Sequence, residues 1–283
     1  MEFRHFLQYF MLILCFWGDG SIIIYIVLIW EAIMQRLLSH MRKAIEDFNM
    51  IEDGDKIAVC LSGGKDSISL LMGLRAMQRF YPKHYDIIAV SVNPGFDFFD
   101  TVFLQNLCDS IDVPLFIENS NIKEIVFDVR KEKNPCSLCA NLRRGIINTV
   151  AIREHCNKIA LGHNKDDLLE TFCLNLLYTG NISTFAPVSF MDRSGITLIR
   201  PLIYTPEKDT KSFVKRNNIE VMPKCCPMDG HSKREDMKNL IYDLSKDIPM
   251  VKANLFGAIS RSNIKGWNEI KKWKTIDICC YNQ

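Results

Sequence analysis

Residues 56–71 read KIAVCLSGGKDSISLL: a largely apolar run, a tight polar loop, and then residues with helical spacing. A Gly-rich loop between a strand and a helix presents backbone N–H groups and the positive end of a helix dipole, which suits a phosphate. The loop Ser62-Gly63-Gly64-Lys65-Asp66-Ser67 is not a Walker loop, because its glycines are adjacent and its lysine precedes an aspartate. Gly63 and Gly64 permit close backbone approach, Ser62 and Ser67 carry hydroxyl donors, and Lys65 can neutralise phosphate charge. Asp66 is expected to cap the helix that follows. The bland alternative is a Gly-Gly turn with an N-cap; a strand before and a helix after favour phosphate binding.

The pattern repeats outward from this stretch. Met34, Leu37, Leu38, Met41, Ile45 and Phe48 recur at helical spacing ahead of it. DIIAVSV, VPLFIEN, NKIALG and ITLIRPL read as further strands. TVFLQNLCDSI, CANLRRGIINTVAIREHC, KDDLLETFCLNLLY and PEKDTKSFVKRN read as helices, the last with Pro in its first turn. Strands alternating with helices predict right-handed crossovers and an α/β, doubly wound, mostly parallel sheet, with a helical C-terminal region beyond it. Three polar loops, SGGKDS, NPGFD and GHNKDD, fall at the carboxyl ends of strands, where such sheets bind ligands.

The chain has 283 residues, about half of them apolar, and a net charge of +2, which describes an ordinary globular protein rather than a disordered or fibrous one. Basic residues outnumber acidic ones from Lys208 onward, and the tail KGWNEIKKWK interleaves Trp267 and Trp273 with lysines. That composition suits a phosphate backbone and stacked bases, or else a solvated helix face. Eleven cysteines, an odd number, several of them inside strands or helices (Cys60, Cys108, Cys156, Cys173), argue against a secreted disulfide framework and for a reducing compartment. Residues 1–33 are strongly apolar but broken by Gly18-Asp19-Gly20. Translation starting at Met34 is the preferred reading, a membrane anchor through residues 6–30 the second, and no convincing cleavage site supports a signal peptide.

GHNKDDLLET gathers Gly162, His163, Asp166, Asp167 and Glu170 around a strand-to-helix turn. Asp166 or Asp167 can hold a Mg²⁺ that bridges phosphates, or simply cap the helix. Cys136-Ser137-Leu138-Cys139 has the spacing that lets two thiolates face one metal, and KCCPMDG adds Cys225 and Cys226 in another Pro-flanked loop. Three thiolates suit zinc or an iron–sulfur cluster, and a redox pair is the metal-free alternative. Arg143 and Arg144 follow the first cysteine pair and suit phosphate or RNA.

These motifs together resemble the PP-loop ATP pyrophosphatase superfamily and, more narrowly, the tRNA 2-thiocytidine synthetase family. The matching stretches are SGGKDS at 62–67, the C-x-x-C with LRRG at 136–145, ALGHNKDD at 160–167, IRPL at 199–202, and Cys226-Pro227 followed by Ser232-Lys233-Arg234. The resemblance implies an ATP-dependent tRNA sulfurtransferase. ATP adenylates the C2 oxygen of a tRNA cytidine, pyrophosphate leaves, and sulfur displaces AMP to give 2-thiocytidine. It assigns Ser62, Gly63, Gly64, Lys65, Asp66, Ser67, Gly162 and His163 to ATP, and Asp167 with Asp166 to metal or acid–base chemistry. Cys136, Cys139 and Cys226 become ligands of a 4Fe-4S cluster, with Cys225 the alternative third ligand and Cys226 also placed among the catalytic residues. Arg143, Arg144, Lys233 and Arg234 go to RNA. Expected partners are tRNA, a sulfur donor (sulfide or a cysteine desulfurase) and a second copy in a homodimer, in the cytoplasm, with no stable membrane partner. The alternative is an adenylating enzyme that thiolates a tRNA uridine or that sulfurates or amidates a small molecule. The tail carries only Cys279-Cys280, without the zinc ribbons of related thiouridine-forming enzymes, which favours the cytidine branch. The expected divisions are an N-terminal extension (1–33), a helix (34–55), the ATP-binding domain (56–220) and a basic helical region (221–283).

Overall fold

The computed structural model describes residues 35–96, 99–131, 135–223, 226, 228 and 233–267. The apolar segment 1–33, Cys225 and Trp273 lie outside the described residues. Helix α1 (35–47) buries Leu37, Met41, Ala44 and Ile45 completely, the stripe its spacing predicts. Strand β1 (Asp55–Cys60) leads into helix α2 (Lys65–Met77), then β2 (Tyr85–Asn93), α3 (Thr101–Ser110) and β3 (Leu115–Asn119). After a π-helical turn at Glu124–Val129 come α4 (Pro135–Arg153), β4 (Lys158–Ala160) and α5 (Lys165–Leu174), which runs on into a π-helical turn at Asn175–Thr179. The hairpin β5 (Val188–Met191) and β6 (Ile196–Ile199) precedes α6 (Glu207–Arg216), α7 (Lys233–Asp247) and α8 (Val251–Ser260).

The strands form one six-stranded sheet in the order β3-β2-β1-β4-β6-β5. All pairings are parallel except that of the edge strand β5 with β6. The order reverses between β1 and β4, so the loops leaving those two strands open the crevice in which a doubly wound sheet holds its ligand. The strands are nearly continuous in apolar residues because helices cover both faces. Strand β5 has a weak apolar pattern, and the sequence reading passed over it.

Two expectations are corrected by the packing. Cys136 and Cys139 do not lie in a loop: α4 begins at Pro135, which starts a helix with no N–H to satisfy, and both cysteines sit in its first turns. Trp267 is not a surface aromatic. It is fully buried, its indole Nε1 donates to the Phe185 carbonyl at 3.1 Å, and its ring meets Phe48 and Phe256 edge-on. Met237, Ile241 and Ile259 join it in the same core as α1 and α2, so the C-terminal helices are packed onto the sheet domain. No helix among the described residues is long and apolar enough to cross a membrane.

Candidate active site

The loop between β1 and α2 is organised around its two serines. Ser67 Oγ donates to the Gly64 carbonyl at 2.9 Å and accepts from both the N–H and the hydroxyl of Ser62 at 3.1 Å. Gly63 has φ +78°, and a Cβ there would lie 2.3 Å from Met222 Sδ. The segment after α6 closes over this point, its Met222 N–H donating to the Gly63 carbonyl at 2.9 Å. Gly162 is also close-packed, since an added Cβ would stand 3.2 Å from the Ser67 amide nitrogen. Gly63 is required by its positive φ and the Met222 side chain above it, and Gly162 lets the β4 loop lie against the backbone of Asp66 and Ser67.

The N-terminus of α2 has no side-chain cap. Its N-cap is Gly64, whereas Asp100 caps α3 and Asn164 closes a full capping box on α5 with Asp167. Asp66 therefore does not serve as the expected cap. Its carboxylate accepts from Thr210 Oγ1 at 2.6 Å and Asn164 Nδ2 at 3.2 Å and pairs with Lys65 at 2.8 Å, tying α2 to α5 and α6. The one helix that follows the Gly-rich loop keeps its first-turn N–H groups free of any side-chain acceptor, the arrangement that serves an incoming anion.

A cleft of about 450 Å³ opens beside this terminus. Ser62, Asp66, Ser67, Gly162 and His163 line one side, Arg143 and Arg144 of α4 another, and Arg234 of α7 the rim. His163 Nδ1 is buried without a hydrogen-bond partner, and its ring centroid lies 5.0 Å from that of Phe185. Burial, and then the charges of Arg200, Arg234 and Arg144, take its pKa down to about 3, so the imidazole is neutral. Arg200, from the IRPL motif, lies over the other partner of this stack, 5.1 Å from the Phe185 centroid. It was missed as a site residue because an arginine beside a strand reads as solvent-facing; here it is only 7% exposed.

The two aspartates of GHNKDD part company. Asp167 accepts from the Asn164 N–H and faces Arg234, a residue of the cleft, at 3.7 Å. Its pKa is raised, chiefly by burial. Asp166 instead accepts from the Glu207 N–H and from Lys252 Nζ, both at 2.6 Å, on the far side of the α5 turn. The expected pair is thus a single carboxylate, Asp167, because successive residues of a helix turn point about 100° apart. Lys65 also pairs with Glu207 at 3.1 Å. Burial pushes the Glu207 carboxyl up, but Lys65, Lys211 and Lys238 outweigh it and bring the pKa down to about 2.

Cys139 is buried against Val92, Ile122 and Val126, while Cys136 and Cys226 are exposed. Burial and then the neighbouring Cys226 and Cys139 push the Cys136 thiol up, with Arg143 pulling it back. Cys136 thus lies near enough to both Cys139 and Cys226 to sense their charge. Among the described residues no set of three His, Cys, Asp or Glu side chains closes round a single ion. A 4Fe-4S cluster binds each thiolate at a different iron, so it does not require the three sulfurs to converge on one point. Cys60 lines the nucleotide cleft, but burial raises its thiol to about 12, far from a thiolate.

Sheet order, uncapped helix and Gly-rich loop define a PP-loop nucleotide-binding protein, and the family profile described as a PP-loop domain matches residues 34–234. The chain belongs to that family. Within it, the chain is 36% identical over 236 residues to the tRNA-cytidine(32) 2-sulfurtransferase of Geotalea uraniireducens (strain Rf4), covering 82% of this chain and 94% of that one. It is 39% identical over 220 residues to the protein of the same name from Syntrophotalea carbinolica (strain DSM 2380 / NBRC 103641 / GraBd1), covering 77% and 85%. The U34-tRNA thiolase NcsA from Methanococcus maripaludis, solved with its [4Fe-4S] cluster, shares the fold with a TM-score of 0.64 at 24% identity, covering 78% of this chain and 76% of that one.

Proposed function

We propose that the chain is an ATP-dependent tRNA sulfurtransferase that converts a tRNA cytidine, at position 32 as in its named relatives, to 2-thiocytidine. The observation that carries the reading is an uncapped PP-loop helix beside an arginine-lined cleft, with Cys136 near Cys139, Cys226 and the cleft residue Arg143. The C2 oxygen of the base attacks the α-phosphorus of ATP, the bond to pyrophosphate breaks, and a poor leaving group becomes AMP. Sulfur then attacks C2 and the C–O bond to AMP breaks.

The residues divide this work. The first-turn N–H groups of α2, the Ser62 hydroxyl and Lys65 hold the departing pyrophosphate, for which Lys65 must exchange Asp66 and Glu207 for phosphate oxygens. Asp167 holds the Mg²⁺ that accompanies ATP. Arg143 and Arg144 stabilise charge as it develops on the phosphate and steady the anionic RNA. His163 Nδ1 has no partner inside the protein, so the bound nucleotide or base supplies one. Cys136, Cys139 and Cys226 fit a 4Fe-4S cluster, which when bound offers its remaining iron as the point of delivery for sulfur. The donor is sulfide or a cysteine desulfurase. Seven free cysteines among the described residues, together with ATP and tRNA as substrates, support a reducing, cytoplasmic setting for the reaction.

Nucleoside mass spectrometry of tRNA from cells with and without the gene tests the reading. Loss of 2-thiocytidine on deletion, restored by the wild-type gene and not by Cys136→Ala, is the expected result. Unchanged 2-thiocytidine sinks it, and loss of a thiouridine instead moves the chemistry to the other pyrimidine.

A further inference from the structure

A second cleft, of about 530 Å³, lies on the far side of the α5 N-terminal turn from the nucleotide cleft. Its walls come from α5, α6, α7 and α8, and they carry five lysines, Lys165, Lys208, Lys211, Lys238 and Lys252, against three carboxylates, Asp166, Glu170 and Glu207. The carboxylates are already engaged or suppressed. Glu207 is held by Lys65, Lys211 and Lys238, each at 3.1 Å, and Asp166 by Lys252. Burial, and then Asp167, raise the Glu170 carboxyl to about 7, so near neutrality it is only partly ionised. Lys165 has no ion pair among the described residues; its Nζ stands 4.4 Å from the Phe256 ring centre, and burial, opposed by Asp166 but aided by Lys208 and Lys252, lowers its pKa. Two of the five ammonium groups, Lys165 and Lys208, thus lack an ion pair among the described residues, and an anion would relieve their crowding.

The basic surface is longer than one phosphate needs. Lys208, Lys211 and Lys215 lie along one face of α6, at steps of three and four residues. Lys238, Tyr242 and Lys246 do the same on α7, where Lys246 also pairs with Asp243 at 2.8 Å. Tyr242 is 64% exposed at the cleft, with Lys246 Nζ 4.8 Å from its ring centre. A groove between two lysine ridges, with an exposed aromatic ring on one of them, matches a nucleic-acid strand, whose phosphates repeat and whose bases stack.

We propose that this α6–α7 groove binds the phosphodiester backbone of the tRNA, as a docking surface separate from the nucleotide cleft and from Arg143, Arg144, Lys233 and Arg234. The proposal rests on the sulfurtransferase reading for its choice of RNA. Anion affinity here depends on Lys208 and Lys211 at the groove mouth, and Lys208 makes no ion pair among the described residues, so its removal disturbs no contact.

The test is binding of an unmodified tRNA transcript to the full chain over a range of salt concentrations. Lys208→Gln/Lys211→Gln should weaken binding about tenfold and flatten the salt slope by about two, roughly one per lost phosphate contact. ATP affinity should change far less than tRNA affinity, and the melting temperature should fall only slightly, as Lys211 leaves Glu207. Tyr242→Ala should weaken binding several-fold with the slope intact. Wild-type affinity and slope in the double variant overturn the proposal, as does loss of inorganic pyrophosphate binding with tRNA binding retained, which would assign the cleft to free phosphate. A wild-type chain that binds no tRNA overturns both this proposal and the sulfurtransferase reading.

Discussion

His163 shows how one side chain is set by its surroundings. Its ring is packed on Phe185 with three arginines near, so a proton there would be repelled as well as desolvated. In the unfolded chain the same imidazole titrates at 6.5, and in the fold at about 3. Between those values unfolding takes up a proton, so this group's contribution to stability is complete above 6.5 and falls as the pH drops towards 3. His163→Gln should therefore flatten the fall in urea midpoint between pH 6.5 and 4.5, leaving the slope from His40 and the acidic groups. A variant whose midpoint falls as steeply as the wild type would show that the imidazole is solvated. Gly63 is fixed as firmly by different physics. Its φ of +78° and the Met222 thioether 2.3 Å from any Cβ exclude every other residue without rearrangement. The Gly-Gly dipeptide announced that need in the sequence, but the identity of the residue above it could not be read, because Met222 arrives from a distant segment.

At the scale of elements, the strands were legible wherever a buried apolar run ended in a polar loop, which is why β1, β2, β3, β4 and β6 were placed from sequence and the half-exposed edge strand β5 was not. Caps were harder. Asp66 and Asn164 are both plausible cap residues by type, yet only Asn164 caps, accepting from the Asp166 and Asp167 amides at 2.9 and 3.1 Å. Asp66 is turned by contacts with Thr210, far away in sequence, and that competition is invisible in a local reading. Asn164 also donates to Asp66, so it joins the cap of α5 to the first turn of α2. Asn164→Ala should cost about 1–2 kcal/mol in chemical denaturation, at the upper end for a cap because the Asp66 link goes with it. Calorimetry should also show weaker ATP binding, since the α2 turn loses one of its tethers. A loss of stability with ATP affinity untouched would separate the two functions of this residue.

At the scale of the whole molecule, Glu207 connects the two clefts. Its carboxylate takes Lys65 from the PP-loop on one side and Lys211 and Lys238 from the groove on the other, and no sequence motif pointed to it. A glutamate in the first turn of a helix reads as a dipole partner, and the three lysines it gathers come from α2, α6 and α7. In the unfolded chain it titrates at 4.5 and in the fold at about 2, so its stabilisation is present above 4.5 and lost as the pH falls through 2. The same negative charge opposes both anions the protein is proposed to bind, the ATP phosphates through Lys65 and the RNA backbone through Lys211 and Lys238. Glu207→Gln should lower the melting temperature at neutral pH while strengthening tRNA binding several-fold and steepening its salt dependence by about one unit. ATP should bind more tightly as well, because Lys65 is freed from one of its two carboxylates. Anisotropy and calorimetry on the full chain at several salt concentrations would measure both effects. Weaker binding of either anion would mean that Glu207 orients the lysines productively rather than competing for them, and the two clefts would then be joined by positioning instead of charge.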